Sequence, residues 1–389
     1  MNNTSKVMDT TSVPQELQLL LLLVAGNNES ILLDYDYSKI DWDYFLELTR
    51  HHRLYPIAYV KLNKLKTDRI PSDVLKVLQR EYKKNTFRML QLCVEMEHAV
   101  TILNDCGIDA LVMKGPVLSE SLYGDVSLRT SKDIDILISI EQLDQARQVM
   151  TEFGYEFKED LPPIGSEWKW RWHHLSCTHP QRGIEIEIHW RLSHDSGNEP
   201  SFAELWDRKR RSPLTKSSVY FLGKEDLFLY LVTHGARHGW FRLRWLVDID
   251  RMLFKGIDES KLVLLLDQYR SKQLAGQALI LSSQLLQTPL TKELEPLTKG
   301  RHSYRLAISA LEFIKEIVRL EYSEPPVRYQ LSLKTNLQKI RFLISRLHPD
   351  SLDLEMLHLP RQLYFLYYPL RPFLWCLRKL REQHRRVTG

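Results

Sequence analysis

The stretch from Leu111 to Ile138, LVMKGPVLSESLYGDVSLRTSKDIDILI, decides the fold. Its apolar start predicts a buried strand, and the Lys-Gly-Pro run at 114–116 predicts a turn that leads into a short helix. After a polar loop, Asp133 and Asp135 alternate with isoleucines, so both carboxylates leave one face of a strand. Two carboxylates at such a short distance repel each other unless a cation lies between them. The stretch therefore predicts a cation site beside a turn whose backbone N–H groups and lysine can meet phosphate.

A second acidic strand is predicted further along the chain. Within Gly183 to Trp190, the side chains of Glu185, Glu187 and His189 share one face, and the other face is apolar. His173 to Cys177 is predicted to be the preceding strand, joined to the second by a Pro- and Gly-containing turn. Either glutamate is correctly faced to supply a third carboxylate to the acid pair. The same acid could also accept the proton of an attacking hydroxyl.

Helical periodicity flanks this β region on both sides. Pro71 opens a long helical pattern before it, Asp41 is placed to cap a shorter helix, and helical spacing returns from about Ser201. We find no repeat and no low-complexity segment. The expected fold class is α+β, with a small mixed β-sheet core flanked by N- and C-terminal helical regions. The predicted regions are an N-terminal helical region, the core and a C-terminal helical region with a basic aromatic tail, at residues 1–105, 106–195 and 196–389.

Composition indicates an ordinary globular protein. The 389 residues carry a formal charge of +5, which by itself is too weak to indicate a nucleic-acid-binding protein. The four cysteines form no CxxC pair, which favours reduced thiols in the cytoplasm. The apolar run from Leu19 to Ala25 is too short to span a bilayer and has no basic residues before it like those of a secretory signal. We therefore expect a cytoplasmic protein without a transmembrane segment.

Basic residues concentrate in the tail from Pro360 to Gly389, which has seven lysines and arginines and one acidic residue. Its aromatic side chains could stack on RNA bases while the arginines meet phosphates. The same composition could lie on an anionic membrane surface, or form a last core helix with a basic end. Pro369 and Pro372 argue against one uninterrupted helix here.

The pattern as a whole resembles the uncharacterised bacterial nucleotidyltransferase family of the DNA polymerase β-type superfamily. The resemblance extends over roughly residues 20 to 255, and its acid strands and histidine run are its most specific parts. The residues that carry it are Lys114-Gly115, Tyr123, Arg129, Asp133-Ile-Asp135, Glu187-Ile-His-Trp190, His234 to His238, Trp240 and Arg242 to Asp248.

The resemblance implies transfer of a nucleotidyl group from a nucleoside triphosphate such as ATP to an acceptor hydroxyl, with release of pyrophosphate. The expected catalytic acids hold two Mg²⁺ ions, with Mn²⁺ as the alternative metal; they are Asp133, Asp135 and Glu187. The residues expected to meet the nucleotide are Lys114, Gly115, Arg129 and Ser131. Those expected to support the site are Glu185, His189, His234, His238 and Asp248.

Several alternatives stay open at this level. Pro116 removes a backbone donor beside Gly115, so a catalytically inactive scaffold that binds a nucleotide or a partner protein is the alternative function. A third acid that is glutamate leaves the choice between Glu185 and Glu187 open. Arg129 could instead form a surface salt bridge. The acceptor could be a small molecule, a peptide or RNA, since the sequence names none of them.

Overall fold

The computed structural model describes most of the chain, in two compact units. Described residues up to Leu333 belong to the first unit and those from Lys334 onward to the second. The described residues are 7–26, 28–158, 168–193, 198–317, 325–347, 353 and 356–388.

Among the described residues, seven strands form one mixed sheet in the order β3-β4-β5-β2-β1-β7-β6. The central strand β2 runs parallel to β5 and antiparallel to β1, and β1 in turn runs parallel to β7. The predicted α+β class, with a small mixed sheet between helical regions, is confirmed. The strands are β1 (Leu111–Val112), β2 (Asp133–Leu137), β3 (Glu156–Phe157), β4 (His174–Thr178), β5 (Glu185–His189), β6 (Arg210–Arg211) and β7 (Tyr220–Phe221).

Helices occur along the chain before, between and after the strands. Those preceding β4 are Gln15–Val24, Glu29–Asp34, Trp42–His51, Tyr55–Leu65, Ser72–Asp105, Pro116–Tyr123, Leu143–Glu152 and Trp168–Arg171. Those following β5 are Phe202–Asp207, Lys224–Arg237, Leu243–Phe254, Glu259–Gln268, Lys272–Leu286, Glu295–Thr298, Arg301–Lys315, Val327–Ser332, Asn336–Leu347 and Tyr367–Thr388. Short 3-10 helices are Tyr37–Lys39, Val126–Leu128, Ile140–Gln142 and Arg361–Leu366.

Local sequence signals explain where several of these elements begin. The side chain of Asp41 accepts a hydrogen bond from the Tyr44 N–H at 3.1 Å, which confirms the predicted cap of helix Trp42–His51. Pro71 precedes the long helix Ser72–Asp105, where its missing N–H costs no hydrogen bond. Gly154 follows helix Leu143–Glu152 with φ +83°, a left-handed conformation that glycine adopts readily.

The register between β2 and β5 places their acidic residues together. Asp135 pairs with Glu187, and Leu137 pairs with His189. Cross-strand partners project from the same face of a sheet, so the carboxylates of both strands leave on one side. The isoleucines between them are fully buried on the opposite face, as the alternation of the sequence predicts.

Each face of the sheet packs against its own layer. The isoleucines of β2 and β5 form a core with residues of helices Ser72–Asp105 and Leu143–Glu152. Leu111 and Leu137, on the other face, join the core of the helices that include Lys224–Arg237 and Leu243–Phe254. The acidic residues share that second face, so the helical layer after β7 covers the side of the sheet that carries them.

Two features differ from the sequence prediction. Strands β6 and β7 extend the sheet into the region expected to be helical, because two-residue strands depend on pairing with a neighbour and leave no alternation to detect. The helix Tyr367–Thr388 continues through Pro369 and Pro372, so the expected break was wrong. Pro369 lies in the first turn, where an N–H lacks a helical partner, and Pro372 removes one internal hydrogen bond without ending the helix.

The second unit contains helices Asn336–Leu347 and Tyr367–Thr388. Tyr367 is buried, whereas Phe365, Phe373 and Trp375 are largely exposed. Throughout the described ranges, each helix is too short or too polar to cross a membrane.

Candidate active site

A lysine joins the two carboxylates of β2. Lys114 Nζ lies 3.0 Å from Asp135 Oδ1 and 3.9 Å from Asp133 Oδ1. The position of this lysine is set by the strand end before it, because the Met113 N–H donates to the Asp135 carbonyl at 2.9 Å. Asp135 is fully buried and the Asp133 side chain is partly exposed. One ammonium group therefore offsets about half of the charge of two neighbouring carboxylates.

The charge of Lys114 is stable in this setting. Burial disfavours the ammonium form, but the carboxylates of Asp135 and Asp133 outweigh burial and raise the pKa of Lys114. Tyr230, on helix Lys224–Arg237, is buried against the same charges. Burial is the main cause of its raised pKa, and Asp135 and Glu187 add to it, so its phenol stays neutral.

A histidine connects the acids of the two parallel strands. His189 Nε2 lies 3.1 Å from Asp135 Oδ1 and 3.0 Å from Glu187 Oε2. Burial would lower the pKa of His189, but the two carboxylates raise it to about 8. Burial likewise opposes the charge of Glu187, yet its hydrogen bond to His189 holds the carboxyl pKa below its usual range. At neutral pH, His189 is therefore an imidazolium that lies between the carboxyl groups of Asp135 and Glu187.

Asp133, Asp135 and Glu187, which we call the acid cluster, suit a divalent cation. Asp135 Oδ2 is buried and has no hydrogen-bond partner, and an unsatisfied buried carboxylate oxygen is costly. Ligand atoms of Asp135, Glu187 and His189 all lie within 4.8 Å of one another. Carboxylate oxygens suit both Mg²⁺ and Mn²⁺. The residues present therefore suit the metals that the sequence led us to expect.

His174 is a site residue that the sequence analysis did not include. It pairs with His189 across β4 and β5, and its Nε2 lies 3.8 Å from Glu187 Oε1. Its Nδ1 lies 3.1 Å from His173 Nε2. Burial, followed by the charge of His189, lowers the pKa of His174 to about 4, so its imidazole is neutral. The signal for this residue was its position on a strand paired with β5, which required the register to be known.

The glycine turn has the conformation that the sequence suggested. Gly115 has φ +90°, and a Cβ atom there would lie 3.7 Å from the Asp133 carbonyl oxygen. Pro116 is the first residue of helix Pro116–Tyr123, a position where an N–H has no helical partner in any case. The N–H groups of Val117 and Leu118 remain as donors in the first turn. Pro116 is thus compatible with an anion at this helix end.

Arg129 and Asp248 form a buried ion pair. Arg129 Nε and Nη2 each donate to an Asp248 oxygen at 2.9 Å, and the Tyr123 hydroxyl donates to Asp248 Oδ1 at 2.8 Å. The side chains of the pair are at most 1% exposed. The structure therefore places Arg129 against a protein carboxylate rather than at an open surface, and the pair ties the loop before β2 to helix Leu243–Phe254. Ser131 also faces the protein, since its hydroxyl donates to the Asp133 carbonyl at 3.2 Å.

The two candidate third acids occupy different surroundings. Glu187 contacts His189 beside Asp135, as described above. Glu185 Oε1 instead lies 2.6 Å from Lys158 Nζ in an exposed ion pair. Of the two, only Glu187 shares a contact with the acid pair of β2 among the described residues.

His234 and His238 lie in an aromatic cluster. Their ring centroids are 5.1 Å and 5.2 Å from that of Trp245, and 4.8 Å from each other. Burial lowers the pKa of His234, and the charges of His238 and Lys114 lower it further. His234 is therefore neutral and lies near the lysine of the site, with no carboxylate contact of its own among the described residues.

The raised pKa of His189 predicts a pH-dependent stability of the metal-free protein. The folded pKa of about 8 exceeds the ordinary value of 6.5, so the folded state binds the proton more tightly. The stabilisation is complete below pH 6.5 and is lost as pH rises through 8, a change of about 2 kcal/mol. Urea unfolding at pH 5.5 and pH 9 in EDTA, on wild type and on His189→Gln, measures it as the difference between the two proteins. An equal decrease in the variant His189→Gln would show that another group is responsible.

The sheet therefore carries Asp133, Asp135 and Glu187 on one face, with the lysine of the Lys114-Gly115 turn in contact with the first two. A sequence model of a family described as uncharacterised nucleotidyltransferases matches residues 38–287. The match includes every site residue described above and most of the chain, so the protein belongs to this family. No curated protein sequence matches the chain significantly.

Proposed function

We propose that this protein transfers a nucleotidyl group from a nucleoside triphosphate, such as ATP, to an acceptor hydroxyl and releases pyrophosphate. The observation that carries the proposal is that Asp133, Asp135 and Glu187 lie on one face of two paired parallel strands, with Asp135 in register with Glu187. One ammonium group contacts the first two acids and one imidazole contacts the last two. The buried Asp135 oxygen without a partner supports a cation at this point.

The three acids would hold the divalent cations, Mg²⁺ or alternatively Mn²⁺. When bound, such ions neutralise triphosphate charge and lower the pKa of an attacking hydroxyl. His189 orients two of the ligands by its contacts with Asp135 and Glu187. A positioning contact of this kind commonly affects both metal affinity and activity.

The protein's own groups have distinct tasks in this proposal. The first-turn N–H groups after Gly115 and the Lys114 ammonium meet the phosphates, because a helix N-terminus and a nearby cation both favour anions. Glu187 is ionised and its side chain is 20% exposed, so it can help to accept the proton of the acceptor hydroxyl, with Glu185 as the alternative. Arg129 and Ser131 contribute by holding the loop before β2.

The acceptor belongs to one of three classes, a small molecule, a peptide or RNA. RNA would gain contacts with the basic aromatic tail, which could also touch a membrane surface. None of the four cysteines, all of which lie in described residues, forms a disulfide bond, and we place the protein in the cytoplasm on this ground. Identification of the labelled product in the assay below distinguishes the acceptor classes.

The test is metal-dependent incorporation of label. Full-length protein is incubated with cell extract and each of four nucleoside triphosphates labelled at the α-phosphate, with Mg²⁺, with Mn²⁺ or with EDTA. We expect one or more labelled products with a metal and none in EDTA. Nucleotide binding without any transfer under all these conditions would contradict the proposal and favour the inactive scaffold.

A further inference from the structure

Three cationic side chains from distant parts of the sequence meet beside Asp133. Arg53 follows helix Trp42–His51, Lys132 directly precedes β2, and Arg242 directly precedes helix Leu243–Phe254. We call these three residues the cation cluster.

Hydrogen bonds between distant segments bring these positions together. His51 Nε2 lies 3.1 Å from the Phe241 carbonyl oxygen, and the Leu243 N–H donates to His52 Nδ1 at 3.3 Å, which places Arg53 beside Arg242. The Arg244 side chain donates to the Thr130 hydroxyl at 2.9 Å, which brings the start of helix Leu243–Phe254 to the loop that ends at Lys132. Burial, followed by the charge of Arg53, lowers the pKa of Arg242 to about 10, as expected for neighbouring cations.

The cation cluster has little compensation from the protein. Among the described residues, no carboxylate oxygen lies within 4.0 Å of the charged nitrogens of Arg53, Lys132 or Arg242. Arg242 Nε is buried without a hydrogen-bond partner. The charge of Asp133 favours the cationic forms of Arg53, Lys132 and Arg242. Its Oδ1 also lies 3.9 Å from Lys114 Nζ. The cluster therefore holds more positive than negative charge.

Two further arginines lie behind the cation cluster. Arg244 is buried, and its Nη1 donates to the Thr130 hydroxyl at 2.9 Å while its Nε has no partner. Arg129 Nη1 is also buried without a partner. Burial, followed by the charges of Arg129 and Arg53, lowers the pKa of Arg244. Asp248 balances only one of these inner charges.

Like charges in partly buried positions destabilise a fold unless an anion compensates them. A guanidinium group presents a planar fork of donors that fits phosphate oxygens, and Lys132 is exposed enough to reach a ligand. The cluster adjoins Asp133, the more exposed of the two acids of β2. A ligand with several phosphates could extend from the acid cluster to the cation cluster.

We propose that Arg53, Lys132 and Arg242 bind the terminal phosphates of the nucleoside triphosphate, the part that leaves as pyrophosphate. This inference rests on the proposed function for the identity of the ligand. It gives the protein a phosphate site separate from Arg129, which faces Asp248. It also means that nucleotide binding requires residues from all three predicted regions, 1–105, 106–195 and 196–389.

The test is calorimetric titration of the full-length protein with pyrophosphate and, separately, with AMP. The variants Arg53→Gln, Lys132→Gln and Arg242→Gln should each bind pyrophosphate about tenfold to a hundredfold more weakly, as for a lost hydrogen bond to a charged group. AMP lacks the terminal phosphates, so its affinity should change less than about twofold. The matched control is Arg305→Gln, an exposed arginine on helix Arg301–Lys315, which packs on helix Lys272–Leu286.

Folding of the variants is checked by urea unfolding. Removal of a cation from the cluster relieves repulsion, so ligand-free Arg53→Gln should be at least as stable as wild type. If the arginine variants fail to fold, Lys132→Gln decides the question, because its side chain is exposed. Unchanged pyrophosphate affinity in every folded cluster variant would overturn the inference.

The two proposals can fail separately. If wild-type protein transfers no nucleotide but pyrophosphate binding still depends on the cation cluster, the proposed function falls and the phosphate site stands. If transfer occurs and the cluster variants bind pyrophosphate normally, the inference is wrong and the proposed function stands. Weakened binding of single-stranded RNA, with pyrophosphate affinity unchanged, would instead identify the cluster as an RNA contact and overturn the inference.

Discussion

Replacement of Asp135 by asparagine is expected to reduce nucleotide transfer about a thousandfold. Asp135 is fully buried, and its carboxylate contacts both Lys114 and His189. Asparagine preserves the shape of the side chain but removes the negative charge that would hold a cation. Loss of several kcal/mol of charge stabilisation in the transition state corresponds to a rate decrease of this order.

The measurement is the initial rate of label transfer in saturating triphosphate, together with metal affinity measured by titration. Glu185→Gln is the matched control. It removes an acid from the same face of the sheet, but that acid pairs with Lys158 and does not contact the acid cluster. We expect its rate to stay within a few-fold of wild type. Comparable rates for Asp135→Asn and wild type would remove the acid cluster from the mechanism.

Replacement of Asp248 by asparagine is expected to destabilise the protein by about 3–5 kcal/mol. The change leaves the Arg129 guanidinium buried without its opposite charge, at a position where the side chain is 1% exposed. The side-chain oxygen of asparagine can still accept the hydrogen bond of the Tyr123 hydroxyl. The loss of stability therefore comes mainly from the unpaired charge of Arg129. Asp248 does not contact the acid cluster, and its effect should therefore appear first in stability.

Equilibrium urea unfolding of wild type and Asp248→Asn gives this free energy. The exposed ion pair of Glu185 with Lys158 provides the comparison, since an exposed pair contributes roughly 0–1 kcal/mol. A decrease for Asp248→Asn no larger than that for Glu185→Gln would mean that the buried pair is relaxed or solvated in solution. A double variant Arg129→Met and Asp248→Leu should recover part of the stability, because it removes both buried charges.

The sequence was sufficient to predict the central strands and the faces of their side chains. Asp133 and Asp135 alternate with isoleucines, and Glu187 and His189 do the same further along, so the period of two identifies the polar face. The cap at Asp41 and the glycine turn at Gly115 were also local signals. Each depends on residues within a few positions of one another.

The remaining parts of the site depend on contacts between distant residues. Arg53 and Arg242 are separated by nearly half of the chain, and no spacing in the sequence brings them to Asp133. The sequence did not predict the full burial of Arg129 either, because an arginine is buried only where a partner such as Asp248 is available. His174 became a site residue only through the pairing of β4 with β5.

The parallel pairing of β2 with β5 makes the acid cluster sensitive to the insertion or deletion of a single residue in either strand. Deletion of one residue within β5 would exchange the two faces of that strand, so Ile186 and Ile188 would replace Glu187 and His189 beside Asp135. The same deletion would place two charged groups in the apolar layer against helix Ser72–Asp105. A length change in the connections between strands would leave this register intact, whereas a length change within β2 or β5 would not.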